Sequence, residues 1–265
     1  MKRFAYRFGS VVAACSIVGT VGVGAVPPAA AASKQPTLRI LVTNDDGVGA
    51  AGIDAVVNAL RKLDRVNVTV VAPATNQSGT SDKTTPGPVA TTETPTVSGY
   101  PAIAVEGFPA DAVNFALDGG IPKQPQVVVS GVNAGANLGP VVNVSGTVGA
   151  ARTAARRGVP AVAVSQGSSE GVPPDYTTGA REAVTWVKDH RKALTKRNPA
   201  KPKDIANINV PTCPTGKLRG LVEVPSAVAG DISQTPNCAS KVKKPPDDVI
   251  AFVNGYATLS EVPLA

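Results

Sequence analysis

The sequence predicts an α/β domain in which helices cover both faces of a mostly parallel sheet, followed by a small C-terminal hairpin extension. Residues 38–43, 66–72 and 127–130 are predominantly apolar and rich in β-branched residues, which is typical of strands buried on both faces. Between the first two, apolar residues recur at helical spacing: Ile53, Val56, Val57, Leu60 and Leu63. A strand, a helix and a strand in this order predict the βαβ unit of a parallel sheet.

The N-terminal segment, residues 1–32, has the layout of a secretory signal peptide. A basic head (Lys2, Arg3, Arg7) precedes an apolar run, and three alanines ending at Ala32 suit a cleavage site. We therefore expect a secreted or extracytoplasmic protein cleaved near Ala32. One alternative is an uncleaved anchor, although the run is interrupted by glycines and is shorter than the roughly 20 residues that span a membrane. The other is lipoprotein processing at Cys15. The apolar run continues past Cys15, which argues against this alternative.

The mature domain is predicted to have its α/β core at 33–210 and its extension at 211–265. Further strands are expected at 102–105, 159–165 and 205–210, and further helices at 109–117, 147–157 and 176–191. Residues 74–100 are predicted to form a long loop that can include a hairpin. Long loops in compact domains usually carry function. The extension is rich in Pro, Lys and Asn with weak periodicity, which predicts hairpins and loops over the core.

Composition narrows the classes of function. Hydrophobic residues make up 43% of the 265-residue chain, enough for an ordinary core, and aromatic residues only 4%, too few for the base-stacking surface of a single-strand binder. Signal cleavage removes three positive charges, so the net charge falls from +7 to +4 (7 − 3), which suits an anionic substrate. Cleavage also leaves an even pair of cysteines, Cys213 and Cys238. In an oxidising compartment this pair predicts one disulfide, the alternative being two buried free thiols.

Three polar turns follow predicted strands directly, at residues 44–47, 74–85 and 131–135. In open α/β sheets the ligand site lies at the carboxyl ends of the strands, so these turns should open on one edge. Asp45 and Asp46 are adjacent carboxylates, whose repulsion a cation or a proton would relieve. Hard cations such as Mg²⁺ take oxygen ligands of this kind. The alternative is that the pair caps the next helix.

Two further features bear on the chemistry. Ser145-Gly146-Thr147 begins a helix, and such a start can bind phosphate, although an ordinary helix cap is the alternative. His190 is the only histidine in the chain, and its neighbours are charged, which predicts a surface position. A single histidine of this kind excludes Ser-His-Asp and Cys-His catalysis and a histidine-rich zinc site.

The motifs together closely resemble the SurE family, the survival-protein E 5′/3′-nucleotidases. They are 40–47 (ILVTNDDG), 71–81 (VAPATNQSGTS), 130–139 (SGVNAGANLG) and 145–148 (SGTV). The resemblance covers roughly residues 38–211 and resumes at 248–264, which is similar to the family's closing hairpin. It implies a Rossmann-like, SurE-like fold.

The resemblance also implies the residues of the site. The metal ligands would be Asp45, Asp46, Ser78 and Asn133, holding a divalent cation, with Mg²⁺ or Mn²⁺ expected. The phosphate contacts would be Asn44, Asn137, Ser145, Gly146 and Thr147. Asp45 would orient or deprotonate the attacking water, with Asn44 as the second catalytic residue.

The implied activity is hydrolysis of nucleoside monophosphates to nucleoside and phosphate. No nucleic-acid polymer and, after cleavage, no membrane is expected as a partner. One alternative is a secreted nucleotide- or phosphate-binding protein with little turnover, and another is a broad acid phosphatase or polyphosphatase.

Some residues depart from the family pattern. Gln77 stands where Arg is usual, Phe108 where Thr is usual, and Pro140-Val141 where acidic residues are common. The segment 224–247 is shorter than the arm that helps to build the family's oligomers, so we expect an assembly no larger than a homodimer. These departures affect substrate preference and assembly and leave the metal ligands unchanged.

Overall fold

A nine-stranded mixed sheet organises the chain. The structure is a computed structural model that describes residues 36–169, 171–197 and 199–264, so the predicted signal peptide, 1–32, lies outside the described residues. The strands are β1 (Leu38–Thr43), β2 (Val66–Pro73), β3 (Thr91–Glu93), β4 (Ile103–Val105), β5 (Val127–Ala134), β6 (Ala161–Gln166), β7 (Asp204–Val210), β8 (Leu221–Glu223) and β9 (Ala257–Pro263). Their order across the sheet is β3-β4-β2-β1-β5-β6-β7-β9-β8. The six strands from β4 to β7 in this order are parallel to one another.

Helices cover both faces of this sheet, which confirms the predicted fold class. They are α1 (Ala51–Leu60), α2 (Pro109–Phe115), α3 (Gly146–Arg156), α4 (Tyr176–Leu194) and α5 (Asp248–Val253). The apolar sides of α1 and α4 pack in one core with Ile40 and Val42, whereas α2 and α3 pack in a second core with Leu41. Successive residues of β1 thus point to opposite faces, as a doubly covered strand requires. Within the described ranges, no helix combines the length and apolar character needed to cross a membrane.

The strand predicted at 127–130 is longer than expected, because β5 continues through Gly131 to Ala134. Glycine usually predicts the end of a strand, but here it allows close contact with β6. A Cβ at Gly131 would lie 2.2 Å from the Val164 carbonyl oxygen, and the residue has φ of +134°. The pairing register shifts between Ser130 and Asn133. This irregularity immediately precedes Asn133, one of the predicted metal ligands.

The C-terminal segment is not the hairpin that the sequence predicts. Its last strand, β9, pairs antiparallel with β7 and so extends the main sheet, and β8 lies parallel to β9 on the far side. Residues 248–253, expected in a closing hairpin, form α5 instead, with Asp247 capping the helix through its bond from the Ile250 N–H at 2.8 Å. The pairing of β9 with β7 joins residues that are far apart in sequence, which local pattern does not reveal.

The predicted disulfide between Cys213 and Cys238 is present, with the two Cα atoms 5.8 Å apart. It closes a loop in the segment that joins β7 to α5, where periodicity is weak and few apolar side chains are available. Closing a loop of this length is worth roughly 3 kcal/mol in the chain-entropy description. The free-thiol alternative is therefore wrong for this structure.

The long loop at 74–100 carries the short strand β3, which pairs antiparallel with β4 as the expected hairpin. Its far end is tied to α1 by Asp54, whose carboxylate accepts bonds from the Thr96 hydroxyl at 2.5 Å and the Ser98 hydroxyl at 2.6 Å. Burial alone would raise the pKa of Asp54, but these hydrogen bonds outweigh it and lower the pKa below its usual value. The charged form of Asp54 therefore stabilises this fold.

Candidate active site

The turn after β1 is held in place by the side chain of Asn44 and by a backbone bond to β2. Asn44 is fully buried, and its Nδ2 donates to the Gly47 carbonyl oxygen at 2.8 Å. Gly47 has φ of +99°, a left-handed conformation that glycine adopts without strain. The next residue, Val48, donates its N–H to the Pro73 carbonyl oxygen at 2.8 Å, which joins the turn to the end of β2. The carboxylates of the turn are thus held at the carboxyl edge of the sheet.

Asp45 is buried against the start of α3. Its Oδ1 accepts a hydrogen bond from the Thr147 hydroxyl at 2.5 Å, and only 2% of the residue is exposed. A Cβ at Gly146 would lie 2.8 Å from the Asp45 Cβ, so only glycine lets the helix begin this close to the carboxylate. The positive end of the helix dipole favours a negative charge at this position.

The protonation of Asp45 reflects this environment. Burial raises the pKa of the Asp45 carboxyl to about 6; the hydrogen bond from Thr147 opposes this rise, and the neighbouring charge of Asp46 adds to it. Burial also raises the pKa of Asp46. Two adjacent carboxylates are therefore crowded together in a poorly solvated place, the condition that a bound cation relieves.

Asp46 lies in the first of the three polar turns predicted at one edge of the sheet and contacts the other two. Its Oδ2 accepts the backbone N–H of Ala134, at the end of β5, at 3.0 Å. Its Oδ1 lies 3.4 Å from Nδ2 of Asn76, in the loop that follows β2. The predicted convergence of these turns on one edge of the sheet is confirmed by these contacts.

The other two predicted ligands lie on the neighbouring turns. Nδ2 of Asn133 donates to the Gly135 carbonyl oxygen at 2.7 Å, which leaves its Oδ1 as the oxygen that can coordinate. Ser78 is exposed, and its N–H donates to Oδ1 of Asn76 at 2.9 Å. Because Asn76 also contacts Asp46, the Ser78 segment is held beside the carboxylate pair.

The loop that carries Ser78 is fastened to the start of α3. Ser81 donates its N–H to the Val144 carbonyl oxygen at 3.1 Å and its hydroxyl to the Asn143 carbonyl oxygen at 2.9 Å. Asp82 forms an ion pair with Arg156 at 2.7 Å. The position of Ser78 therefore depends on the same helix that contacts Asp45.

These side chains fit a hard divalent cation. The predicted ligands offer only oxygen atoms, two from carboxylates and two neutral, which is the donor set that Mg²⁺ and Mn²⁺ accept. The buried Oδ1 of Asn44, next to Asp45, is an acceptor without a hydrogen-bond partner among the described residues. The described ranges contain no group of three or more His, Cys, Asp or Glu side chains suited to a metal. A cation here would thus need the oxygens of Ser78 and Asn133 as well.

The predicted phosphate contacts are largely engaged within the protein. The Ser145 hydroxyl accepts the Val148 N–H at 3.1 Å, so it caps α3, as the alternative for this segment proposes. Thr147 is fully buried and directed at Asp45. The atom of Asn44 that lacks a partner among the described residues is Oδ1, a hydrogen-bond acceptor, and two acceptors, Oδ1 and an anionic phosphate oxygen, cannot bond each other. Asn137 is buried, and its Nδ2 donates to the Ser165 hydroxyl at 2.8 Å.

Comparison with known proteins identifies the family of this chain. A family model described as Survival protein SurE matches residues 40–229, which include every predicted site residue. The chain belongs to the SurE family. The 5′-nucleotidase SurE of Stenotrophomonas maltophilia is 42% identical over 185 residues, which are 69% of this chain and 68% of that protein. The 5′-nucleotidase SurE of Coxiella burnetii is 39% identical over 192 residues, 71% of this chain and 69% of that protein.

The fold agrees with a solved member of the family. The crystal structure of the SurE protein from Aquifex aeolicus superposes with a TM-score of 0.67 at 26% identity, covering 86% of this chain and 94% of that one. Family membership makes the chain an enzyme of the phosphoric monoester hydrolase class.

Three features of the site and its surroundings are absent from the sequence predictions. They are the backbone N–H of Ala134 on Asp46, the role of Thr147 as the partner of Asp45, and two buried asparagines of β7, Asn207 and Asn209. A backbone donor leaves no mark in a sequence. The asparagines do leave one, because this residue type is unfavourable in strands and is unusual in one as buried as β7.

Proposed function

We propose that this SurE-family chain hydrolyses nucleoside monophosphates to nucleoside and phosphate and depends on a divalent cation. The observation that carries the proposal is the meeting of three strand ends at Asp45 and Asp46. Asp45 contacts the start of α3, while Asp46 contacts the end of β5 and the loop after β2. Carboxylates placed beside a helix N-terminus at the carboxyl edge of a parallel sheet suit a cation and a phosphate together.

Asp45, Asp46, Ser78 and Asn133 would hold the cation. When bound, a divalent cation polarises the phosphoryl oxygens and activates a water for in-line attack. Asp45 would orient that water, because Thr147 and Gly146 hold its carboxylate in one place. Asn44 acts by fixing the turn that carries Asp45, since its Nδ2 is bonded to Gly47.

The phosphate would lie between Asn137 and the start of α3. An amide nitrogen carries two N–H donors, so Asn137 can bond both Ser165 and a phosphate oxygen. The helix start at Ser145, Gly146 and Thr147 would contribute its positive dipole to the same anion. Family membership and the names of the relatives support 5′-monophosphates as substrates, and the family resemblance extends the proposal to 3′-monophosphates.

A phosphate-release screen tests the proposal and separates it from its alternatives. Mature protein would be assayed on 5′- and 3′-nucleoside monophosphates, p-nitrophenyl phosphate and short polyphosphate, with Mg²⁺, Mn²⁺ or a chelator. We expect metal-dependent release, fastest from nucleoside monophosphates. Tight nucleotide binding without release would favour the binding-protein alternative, and equal release from every ester would favour the broad phosphatase.

We also propose that the protein acts outside the cytoplasm. The sequence of residues 1–32 supports this, and so does the disulfide Cys213–Cys238, because disulfides persist in oxidising compartments. Intact-mass measurement of the exported protein should give a chain that begins near Ser33. A full-length chain found only in the cytosol would overturn the export proposal without affecting the proposed reaction.

A further inference from the structure

Strand β7 carries two asparagines inside the sheet, Asn207 and Asn209, and both are fully buried. They are two residues apart, so their side chains point to the same face, where Ile205 packs in the core with α3. An amide buried without hydrogen bonds costs stability, and asparagine is disfavoured in strands. Residues that are unfavourable in their local structure, as these asparagines are in a buried strand, are expected mainly at functional positions.

Both asparagines bind one residue, Asn137, in the loop between β5 and α3. Asn207 and Asn209 donate their Nδ2 groups to the Asn137 carbonyl oxygen, at 2.8 and 3.1 Å respectively. Oδ1 of Asn209 accepts the Asn137 backbone N–H at 2.7 Å. The side chains of Asn207 and Asn209 therefore satisfy the backbone N–H and carbonyl groups of Asn137, which in a strand would bond to a neighbouring strand.

The Asn137 side chain is held by the neighbouring strand, β6. Its Nδ2 donates to the hydroxyl of Ser165, a residue of β6 that pairs with Asn209 in the parallel register. Backbone and side chain of Asn137 are thus bonded to two adjacent core strands. Core strands move little, so the amide of Asn137 is held at a defined place.

We infer that Asn207 and Asn209 are positioning residues that hold Asn137 in the orientation that binds the substrate phosphate. The inference rests on the proposed function in one respect, that Asn137 contacts phosphate. Asn207 and Asn209 do not touch the substrate themselves. Loss of their bonds frees the loop, and a displaced Asn137 amide bonds the phosphate with poorer geometry and so more weakly.

The same buried region supplies matched controls. Ser260 and Thr258 of β9 are the cross-strand partners of Asn207 and Asn209, and both are buried. Their hydroxyl oxygens have no hydrogen-bond partner among the described residues. Ser260→Ala and Thr258→Val therefore alter the polarity of this region without breaking a bond to Asn137.

The test measures the binding of inorganic phosphate to the mature protein with Mg²⁺ by calorimetry, and kcat and KM for a nucleoside monophosphate. Asn209→Ala removes two bonds to Asn137 and should weaken phosphate affinity by about tenfold. Asn207→Ala removes one bond and should have a smaller effect in the same direction. Ser260→Ala and Thr258→Val should bind phosphate as the wild type does. Melting temperatures of all variants separate affinity from stability.

A double-mutant cycle decides whether Asn209 acts through Asn137. In an Asn137→Ala background, Asn209→Ala should cause little further loss of phosphate affinity, because the amide that it positions is gone. An equal loss in both backgrounds, or a loss of melting temperature with unchanged affinity, would overturn the inference. If Asn137→Ala binds phosphate normally, the inference is also wrong. Absence of turnover in the wild type would instead refute the proposed function, while the phosphate-binding cycle still tests the positioning role. If Asn209→Ala does not fold, Asn207→Ala is tested in the same cycle.

Discussion

Replacing Thr147 by valine should damage the site more than the fold. Valine keeps the shape of threonine but removes the hydroxyl that donates to Asp45 at 2.5 Å, in a place where both residues are buried. A hydrogen bond to a charged group contributes about 1.5–3 kcal/mol. For a domain of this size, 1 kcal/mol corresponds to roughly 2–4 °C, so a loss of about 3–12 °C in melting temperature is expected.

The effect on activity should exceed what lost stability explains. Without its donor, the Asp45 carboxylate can rotate away from the orientation that the cation and the water require. We expect kcat/KM for 5′-AMP to fall by about 10- to 160-fold, the same 1.5–3 kcal/mol expressed as a rate. Thr147→Ser, which keeps the hydroxyl, should recover most of the activity.

Thr153→Val is the matched control. Thr153 lies on the same helix, α3, and its hydroxyl donates to the Gly149 carbonyl oxygen at 2.8 Å in a buried place away from Asp45. It should lower the melting temperature and leave kcat/KM unchanged. If Thr147→Val and Thr153→Val have equal kcat/KM, the hydroxyl of Thr147 does not orient Asp45, and this reasoning is refuted.

Further predictions concern stability and assembly. Thiol titration of denatured, unreduced mature protein should detect no free thiol, and replacing Cys213 and Cys238 by serine should cost about 3 kcal/mol of unfolding free energy; two free thiols would contradict the structure. The folded-state pKa of Asp54 is lowered, so its stabilisation is present above its usual pKa of 3.8 and is lost as pH falls through the folded value. The melting temperature of Asp54→Asn should therefore lie below that of the wild type at pH 7, and the difference should shrink towards pH 3; a constant difference would exclude the carboxylate as its cause. Light scattering should give a monomer or a dimer because the segment 224–247 is short, and a stable tetramer would show that the arm does not limit assembly.

The parts of the fold that sequence reasoning predicts are those with a strong local pattern. The strand predicted at 38–43 has the observed bounds of β1, because a short, mainly apolar segment followed by a polar turn allows few other structures. Helix α1 follows its apolar spacing, although Leu63 lies beyond the helix end at Leu60 and packs against the core from a turn. The place of β9 beside β7 was not predictable in this way, since it depends on pairing across a long stretch of chain.

The site shows the same division. The placement of Asp45 and Asp46 at the carboxyl edge of the sheet is predictable, because both residues directly follow a buried parallel strand. The contact of Thr147 with Asp45 is not predictable from the sequence. A hydroxyl at a helix start suits a cap, a phosphate contact or a carboxylate partner equally well, and only the packing of α3 on Asp45 shows which of these it is. The surface position predicted for His190 is confirmed; the exposed ring stacks on Trp186 with centroids 4.3 Å apart.

The central claim is that Asp45 and Asp46 form a catalytic metal centre and do not merely cap α1. The most direct measurement is 5′-AMP hydrolysis by the wild type and Asp45→Asn, with a divalent cation and with a chelator, alongside melting temperatures. Asparagine has nearly the same shape, so the fold should persist, while turnover should fall by about 10²–10³. The chelated wild type should be inactive as well. Hydrolysis by Asp45→Asn at the wild-type rate, with a melting temperature several degrees lower, would show that the pair serves only the fold and would contradict the account.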